Sequence, residues 1–258
     1  MGILNVTPDS FSDGGQFSSP QQAKDHAMIM INEGVDIIDI GGESSRPGAK
    51  PVSLKEELKR IKPVIAAIRK ESDCLISIDT YKASVAKIAI DLGADIVNDI
   101  SSLSFDQNMA DLVSAKQVPI ILMHMQGSPK NMQLNPSYGD LINDLIIFFK
   151  SKIKIAIEAG ISNKMIILDP GIGFGKKVHD NFEIIRELKQ IKDMGYPILL
   201  GSSRKSFIGE VLNLPVEDRL EGTMATVSAG IINGANIVRV HDVIETRRTV
   251  SIIEKIIG

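Results

Sequence analysis

Asp79, Asn98, Asp169, Lys205, Arg239 and His241 share one property: each stands at or just beyond the end of a short apolar run. Carboxylates and an amide around a slot suit a flat heterocycle rich in N–H donors. A lysine suits its carbonyl or ring-nitrogen acceptors, and Met123 can pack against its face. Arg239 and His241 are two apart, so on a strand their side chains leave on the same face. A guanidinium grips phosphate through a forked pair of donors. The chemistry these types predict is recognition of a flat, hydrogen-bonding ring beside an anion.

The elements that must position them alternate. Short runs rich in Ile, Val and Leu lie at 2–6, 36–40, 75–79, 95–100, 119–124, 165–169, 197–201 and 237–241. Continuous apolar runs of this length predict parallel strands buried on both faces. Helical patterns fill 20–34, 53–72, 82–93, 106–117, 138–160, 180–195, 216–234 and 243–257. Ser19 and Gly34 serve as caps of the first, and Ser53 and Glu56 are spaced as a capping box. Eight strand–helix pairs in 258 residues predict a single (β/α)8 TIM barrel over 1–258, in the α/β class. The polar residues fall at the C-terminal strand ends, where barrel active sites sit. Loop polarity explains one or two of them, not a ring of them. Closure sets strand eight beside strand one. It should therefore gather Asn5, the loop residue Arg46, Arg239 and His241 into an oxyanion or diphosphate site. Asn5 can add an oxygen ligand for Mg2+, which takes few protein ligands.

Composition narrows the function classes. Trp is absent and aromatics are 4%, so the core must be aliphatic. A net charge of −3 gives no basic surface for nucleic acid. Cys74 is the only cysteine, which rules out an intramolecular disulfide and disfavours a cysteine zinc site. No signal-peptide pattern and no membrane-length apolar run occur, so a soluble intracellular protein without membrane partners is expected.

The residues also match a family. MGILNVTPDSFSDGG at 1–15 and DIGGESSRPGA at 39–49 resemble the two signatures of dihydropteroate synthases. SIDTYK at 77–82, VNDIS at 97–101, LMHMQG at 122–127, DPGIGFGK at 169–176, GSSRKSFIG at 201–209 and RVHD at 239–242 agree as well. The resemblance spans essentially the whole chain. It implies a cytoplasmic, homodimeric transferase of folate biosynthesis. The substrates would be 6-hydroxymethyl-7,8-dihydropterin diphosphate and p-aminobenzoate, with Mg2+ accompanying the diphosphate. It puts Asp79, Asn98, Met123, Asp169 and Lys205 on the pterin, and Asn5, Arg46, Arg239 and His241 on the diphosphate and metal. Ser45, Pro47, Phe174, Ser203 and Lys205 fall around p-aminobenzoate, and Phe11 and Asp13 on a first mobile loop. Asp79, Lys205 and Arg239 carry the catalytic roles.

Two departures stand out. Many members have Thr where this chain has Ser45; the hydroxyl survives. The family usually carries a short segment ahead of MGILNV, whereas here Met1 begins the strand. Either the bottom of the barrel is less covered, or the natural start lies upstream.

Other conspicuous residues read as structural. Cys74 is expected to be a buried small apolar residue at a strand start, and His26 and His179 surface groups. His124, opposite in parity to Met123, should face the helices. Gly171–Gly175 lacks Rossmann spacing. Glu56–Arg60 reads as a solvated helix face, and Asp36 and Asp95 as barrel-bottom residues. Two rival functions remain at this stage. A methyltetrahydrofolate-dependent methyltransferase domain would not need the SFSDGG loop or the anion cluster. A non-catalytic pterin-binding paralogue should have lost an anion residue or Lys205.

Overall fold

The computed structural model describes residues 1–7, 20–46 and 48–258. Phe11, Asp13, Ser19 and Pro47 lie outside the described residues. Eight parallel strands alternate with helices: β1 Gly2–Asn5, α1 Pro20–Asn32, β2 Ile37–Gly41, α2 Leu54–Arg69, β3 Leu75–Asp79, α3 Ala83–Asp91, β4 Ile96–Asp99, α4 Met109–Lys116 and β5 Ile120–Met123. The second half runs α5 Leu141–Glu158, β6 Ile166–Asp169, α6 Val178–Arg186, α7 Leu188–Lys192, β7 Leu199–Leu200, α8 Ser206–Leu212, α9 Leu220–Ile232, β8 Ile237–Val238 and α10 Val243–Ile257.

Strands β1 to β6 form one sheet and β7 with β8 a second. Single bridges, Leu168 to Ile198 and Gly2 to Val240, join the two into a ring. Backbone bonds reinforce the seams: Leu168 N donates to Pro197 O (2.9 Å), and Ile3 N to Val240 O (2.9 Å). The expected (β/α)8 barrel is therefore formed.

Alternation along each strand separates two cores. The outward residues, among them Leu4, Ile38, Ile40, Ile76, Ile78 and Val97, pack under the helices. The inward residues Met1, Ile37, Ile96, Ile121, Ile167 and Leu199, with Ile237, plug the bottom of the barrel. Two residues further along the same strands come Asp39, Asn98, Met123, Asp169, Gly201 and Arg239. Strand parity thus converts an apolar floor into a polar upper layer.

The helices depart from expectation in three places. The segment expected at 180–195 breaks at Glu187 into α6 and α7, each with its own terminus. Helix α8 was not foreseen: it has seven residues, includes Gly209, and ends at Asn213 in the left-handed region (φ 55°). The segment expected from 216 opens as a 3-10 turn before α9. At α2, Ser53 Oγ accepts from Glu56 N (3.3 Å), but the Glu56 carboxylate pairs with Arg60 Nε (3.0 Å), so no reciprocal box forms.

Candidate active site

Asp39 is the hub of the upper layer. It is fully buried, and its Oδ2 accepts from Arg239 Nε (2.6 Å) and Asn98 Nδ2 (3.1 Å). Arg239 Nη2 donates to Asp79 Oδ2 (3.0 Å). The register explains the convergence. Gly41 pairs with Asp79 and Asp79 with Asn98, so β2, β3 and β4 bring their C-terminal ends to one level. Burial, and then the neighbouring Asp39 charge, push the Asp79 carboxyl up to about 7, with Arg239 opposing. Asp39 Oδ1, Ser77 Oγ and Asn98 Oδ1 are buried without a protein hydrogen-bond partner.

The opposite wall is built by β5, β6 and the segment after β7. Met123 and Asp169 are register partners, both buried. Asp169 Oδ1 accepts from Gly171 N (2.7 Å); burial pushes its carboxyl up while Lys205 draws it down. Lys205 Nζ donates to the Ile172 carbonyl and stands 4.7 Å from the centroid of the Phe174 ring. Burial pulls its ammonium down to about 8, against the stabilising charge of Asp169. Gly173 (φ 80°) lets the chain pass this lysine: a Cβ there would come within 3.1 Å of Lys205 Cδ. Gly201 lies between Arg239 and Lys205 in the same layer; a Cβ there would stand 3.8 Å from Arg239 Cβ and 4.0 Å from Lys205 Nζ.

At the rim, Ser203 Oγ pairs with His241 Nδ1 (2.9 Å) and accepts from His241 N (3.2 Å). The intervening Arg204, at φ 55°, turns away and forks onto Asp242 (2.9 and 2.7 Å). This ties GSSRKS to RVHD, sending Arg204 outward and Lys205 inward. Asn5 Oδ1 and Asp79 Oδ2 flank Gly41, 3.3 and 3.6 Å from where its Cβ would be. Ser45 is half-buried and Arg46 exposed on the β2–α2 segment, where Arg46 N donates to Ser44 Oγ (3.4 Å).

Within the expected anion cluster Arg239 is half-buried, and Arg46 and His241 are exposed. Both Arg239 and His241 lie beyond β8, which ends at Val238; Arg239 crosses to Asp39 and Asp79 while His241 stays at the exposed rim.

Several structural readings hold. His124 packs edge-on against Phe148 of α5 (4.7 Å) and so faces the helices, His179 is exposed, and Asp95 accepts from Ile76 N (2.8 Å) at the bottom of β4. Others need correction. His26 and Cys74 are half-buried. Glu57, taken for part of a solvated face, is fully buried: it accepts from Thr80 Oγ1 (2.7 Å) and Lys82 Nζ (2.6 Å), because the β3–α3 turn covers it. Asp39, inside the apolar run at 36–40, belongs to the site although the sequence reading assigns it no role. Its parity with Ile37 was the available signal.

A layer of buried polar side chains at the C-terminal end of a parallel barrel is the arrangement of a ligand-binding enzyme of the α/β class. The pterin-binding enzyme family matches residues 1–241. The dihydropteroate synthase of Bacillus subtilis (strain 168) is 51% identical over 258 residues, covering all of this chain and 88% of its own. The Yersinia pestis dihydropteroate synthase, solved with a sulfonamide drug complex, superposes with a TM-score of 0.96 at 44% identity, covering 99% and 93% of the two chains. The Clostridium difficile enzyme, solved with pteroic acid, gives 0.92 at 48% identity, covering 99% and 95%. The chain belongs to the pterin-binding enzyme family, within its dihydropteroate synthase branch.

Proposed function

We propose that the chain joins 6-hydroxymethyl-7,8-dihydropterin diphosphate to p-aminobenzoate, giving 7,8-dihydropteroate and diphosphate. The observation that carries the reading is the slot in which buried Asp79, Asn98 and Asp169 face Lys205 and Arg239. Asp169 and Asn98 take the N–H edge of the pterin, Lys205 its carbonyl or ring-nitrogen acceptors, and Met123 its face. As the C–O bond breaks, the electron pair leaves with diphosphate and the dihydropterin carries a cationic methylene. Asp79 stabilises that charge. The neutral aromatic amine attacks the methylene, forms the C–N bond and loses a proton. No covalent nucleophile is needed, so the protein supplies positioning and electrostatics. Arg239, anchored through Nε and Nη2, leaves Nη1 for the diphosphate, joined by Arg46 and His241. Ser45, Pro47, Phe174, Ser203 and Lys205 surround p-aminobenzoate.

Mg2+ fits this donor set. Magnesium is held by one or two protein oxygens and completed by phosphate and water. The Asn5 amide oxygen beside Gly41 offers one. When bound, it adds positive charge at the diphosphate.

The enzyme acts as a single-domain homodimer in the cytoplasm. Exposed Ile232 at the end of α9 and Ile252, Ile256 and Ile257 on α10 support a subunit interface. No helix of the described residues is long and apolar enough to cross a membrane.

The test is diphosphate release from purified protein with both substrates. Release should require p-aminobenzoate, which separates this reading from a methyltransferase domain or a pterin-binding paralogue. Asp169→Asn should weaken pterin-diphosphate binding by about 2–3 kcal/mol, the worth of a buried charge-assisted hydrogen bond. Unchanged affinity in calorimetry would remove Asp169 from the slot.

A further inference from the structure

The segment between β6 and α6 is secured carbonyl by carbonyl. Ile172 O accepts from Lys205 Nζ, and Gly173 O from Gln133 Nε2 (2.6 Å). Phe174 O accepts from Lys176 Nζ (3.1 Å), and Gly175 O from the Tyr138 hydroxyl (2.5 Å). The backbone also lies directly on the end of β5. A Cβ on Gly171 would fall 1.9 Å from His124 O, and one on Gly175 2.7 Å from Gln126 O.

Lys176 is the unexpected member. It is 4% exposed and makes no ion pair among the described residues. Its Nζ meets three acceptors: His124 Nδ1 (3.0 Å), Phe174 O (3.1 Å) and His124 O (3.4 Å). Burial, aided by Lys176, pushes the His124 ring down to about 3, so the ring is neutral and its Nδ1 can accept. An ammonium has three N–H donors, which matches this set one for one. Burying such a charge without a carboxylate is costly, and an apolar side chain would fill the space more cheaply. Burial indeed pulls the ammonium down to about 7, with Asp169 and Asp180 supporting the charge and Lys205 opposing it. What the charge provides is a directional link between two segments.

We propose that Lys176 is a positioning residue for the amine subsite: its ammonium bridges the end of β5 to the Phe174 carbonyl and fixes the Phe174 ring against Lys205. This rests on the assignment of Phe174 to p-aminobenzoate. Phe174 is half-buried and has the Lys205 ammonium near its ring, so a shift of its backbone moves the wall met by the aromatic amine. The pterin contacts come instead from Asp79, Asn98, Met123, Asp169 and Lys205; Lys176 hydrogen-bonds to none of these side chains and acts on Asp169 and Lys205 through its charge alone.

The experiment is steady-state kinetics and calorimetry on the full-length enzyme carrying Lys176→Met, with Phe174→Ala as the control. In Lys176→Met the KM for p-aminobenzoate should rise about tenfold, with kcat within about threefold of wild type, the pattern of lost ground-state positioning. The Kd for plain 6-hydroxymethyl pterin should stay within about threefold, since no side chain assigned to the pterin loses a hydrogen bond. Lys176→Gln keeps two N–H donors and should recover part of the KM; it also serves if the Met variant fails to fold. An unchanged KM in Lys176→Met, with a raised KM in Phe174→Ala, overturns the role of Lys176 alone. If neither variant moves that KM, the subsite assignment fails and the proposal with it. Equal losses for pterin and p-aminobenzoate would reduce Lys176 to a general structural lysine.

Discussion

Arg239 divides its donors between two carboxylates, Nε to Asp39 and Nη2 to Asp79. A lysine at this position keeps the charge but loses the planar fork, so one buried carboxylate loses its partner and the cation loses its fixed aim. Arg239→Lys should therefore lower turnover with the pterin diphosphate by roughly tenfold to a thousandfold, the range for lost preorganised stabilisation of a leaving anion. Affinity for plain hydroxymethyl pterin should change much less. Normal turnover, or equal loss of both properties, would take Arg239 off the diphosphate. Most single residues of this slot were legible in the sequence, because strand ends and strand parity locate Asp79, Asn98, Asp169 and Arg239 without coordinates. What parity could not supply was direction. Arg239 has a long side chain and several acceptors in reach, and only the packed structure shows that it crosses to Asp39. Lys176 escaped for another reason, since nothing in a glycine-rich stretch announces a buried ammonium.

Among the elements, the connection from β2 to α2 is tied down by one lysine. Lys82 Nζ, at the start of α3, reaches Glu57 Oε2 (2.6 Å), Val52 O (2.6 Å) and the Glu43 carboxylate, while the Tyr81 hydroxyl donates to Glu43 Oε1 (2.6 Å). The Glu57 side chain is 1% exposed, so its charge has little water to fall back on. Lys82→Met should cost about 3–5 kcal/mol, as expected when one partner of a buried pair is removed. Urea unfolding checks it, and a loss below about 1 kcal/mol would show a solvent-like pair. Lys82→Met with Glu57→Gln should recover part of the loss, because the more deeply buried of the two stranded carboxylates is neutralised. The strands were readable as elements because burial on both faces makes them continuous runs of Ile, Val and Leu. Helix α8 was not, since a seven-residue segment containing Gly209 has too little period to register. Glu57 was misread because an acidic and basic run looks solvated until a neighbouring turn folds over it.

At the scale of the molecule, the slot sets a pH dependence. The Asp79 carboxyl rises from 3.8 to about 7 on folding, so its contribution to stability is full below 3.8 and is lost as pH climbs through 7. Lys176 and Lys205 fall from 10.5 to about 7 and 8, so theirs is full above 10.5 and is lost as pH drops through those values. The ligand-free enzyme should therefore carry a site-derived stability minimum near neutral pH. Urea midpoints at several pH values test this. The gain of Asp79→Asn over wild type should grow between pH 5 and 7, and that of Lys205→Met should shrink between pH 7 and 9. Flat differences would mean that neither group is desolvated as the structure has it. Ring closure was also legible at this scale, from the count of strand–helix pairs. The weakness of its seams was not, because one bridge on either side of the β7–β8 pair leaves no sequence signature.

The β6–α6 segment has a consequence for how this protein can diverge. With four successive carbonyls each matched to its own side chain, its length is as constrained as its composition. A one-residue insertion or deletion between 171 and 176 would advance every later carbonyl by one place and mismatch several partners at once. A substitution disturbs one match and leaves the count intact. Descendants of this chain should therefore vary that stretch by exchanging residues, and take up changes of length in other connections, where the backbone keeps no such tally.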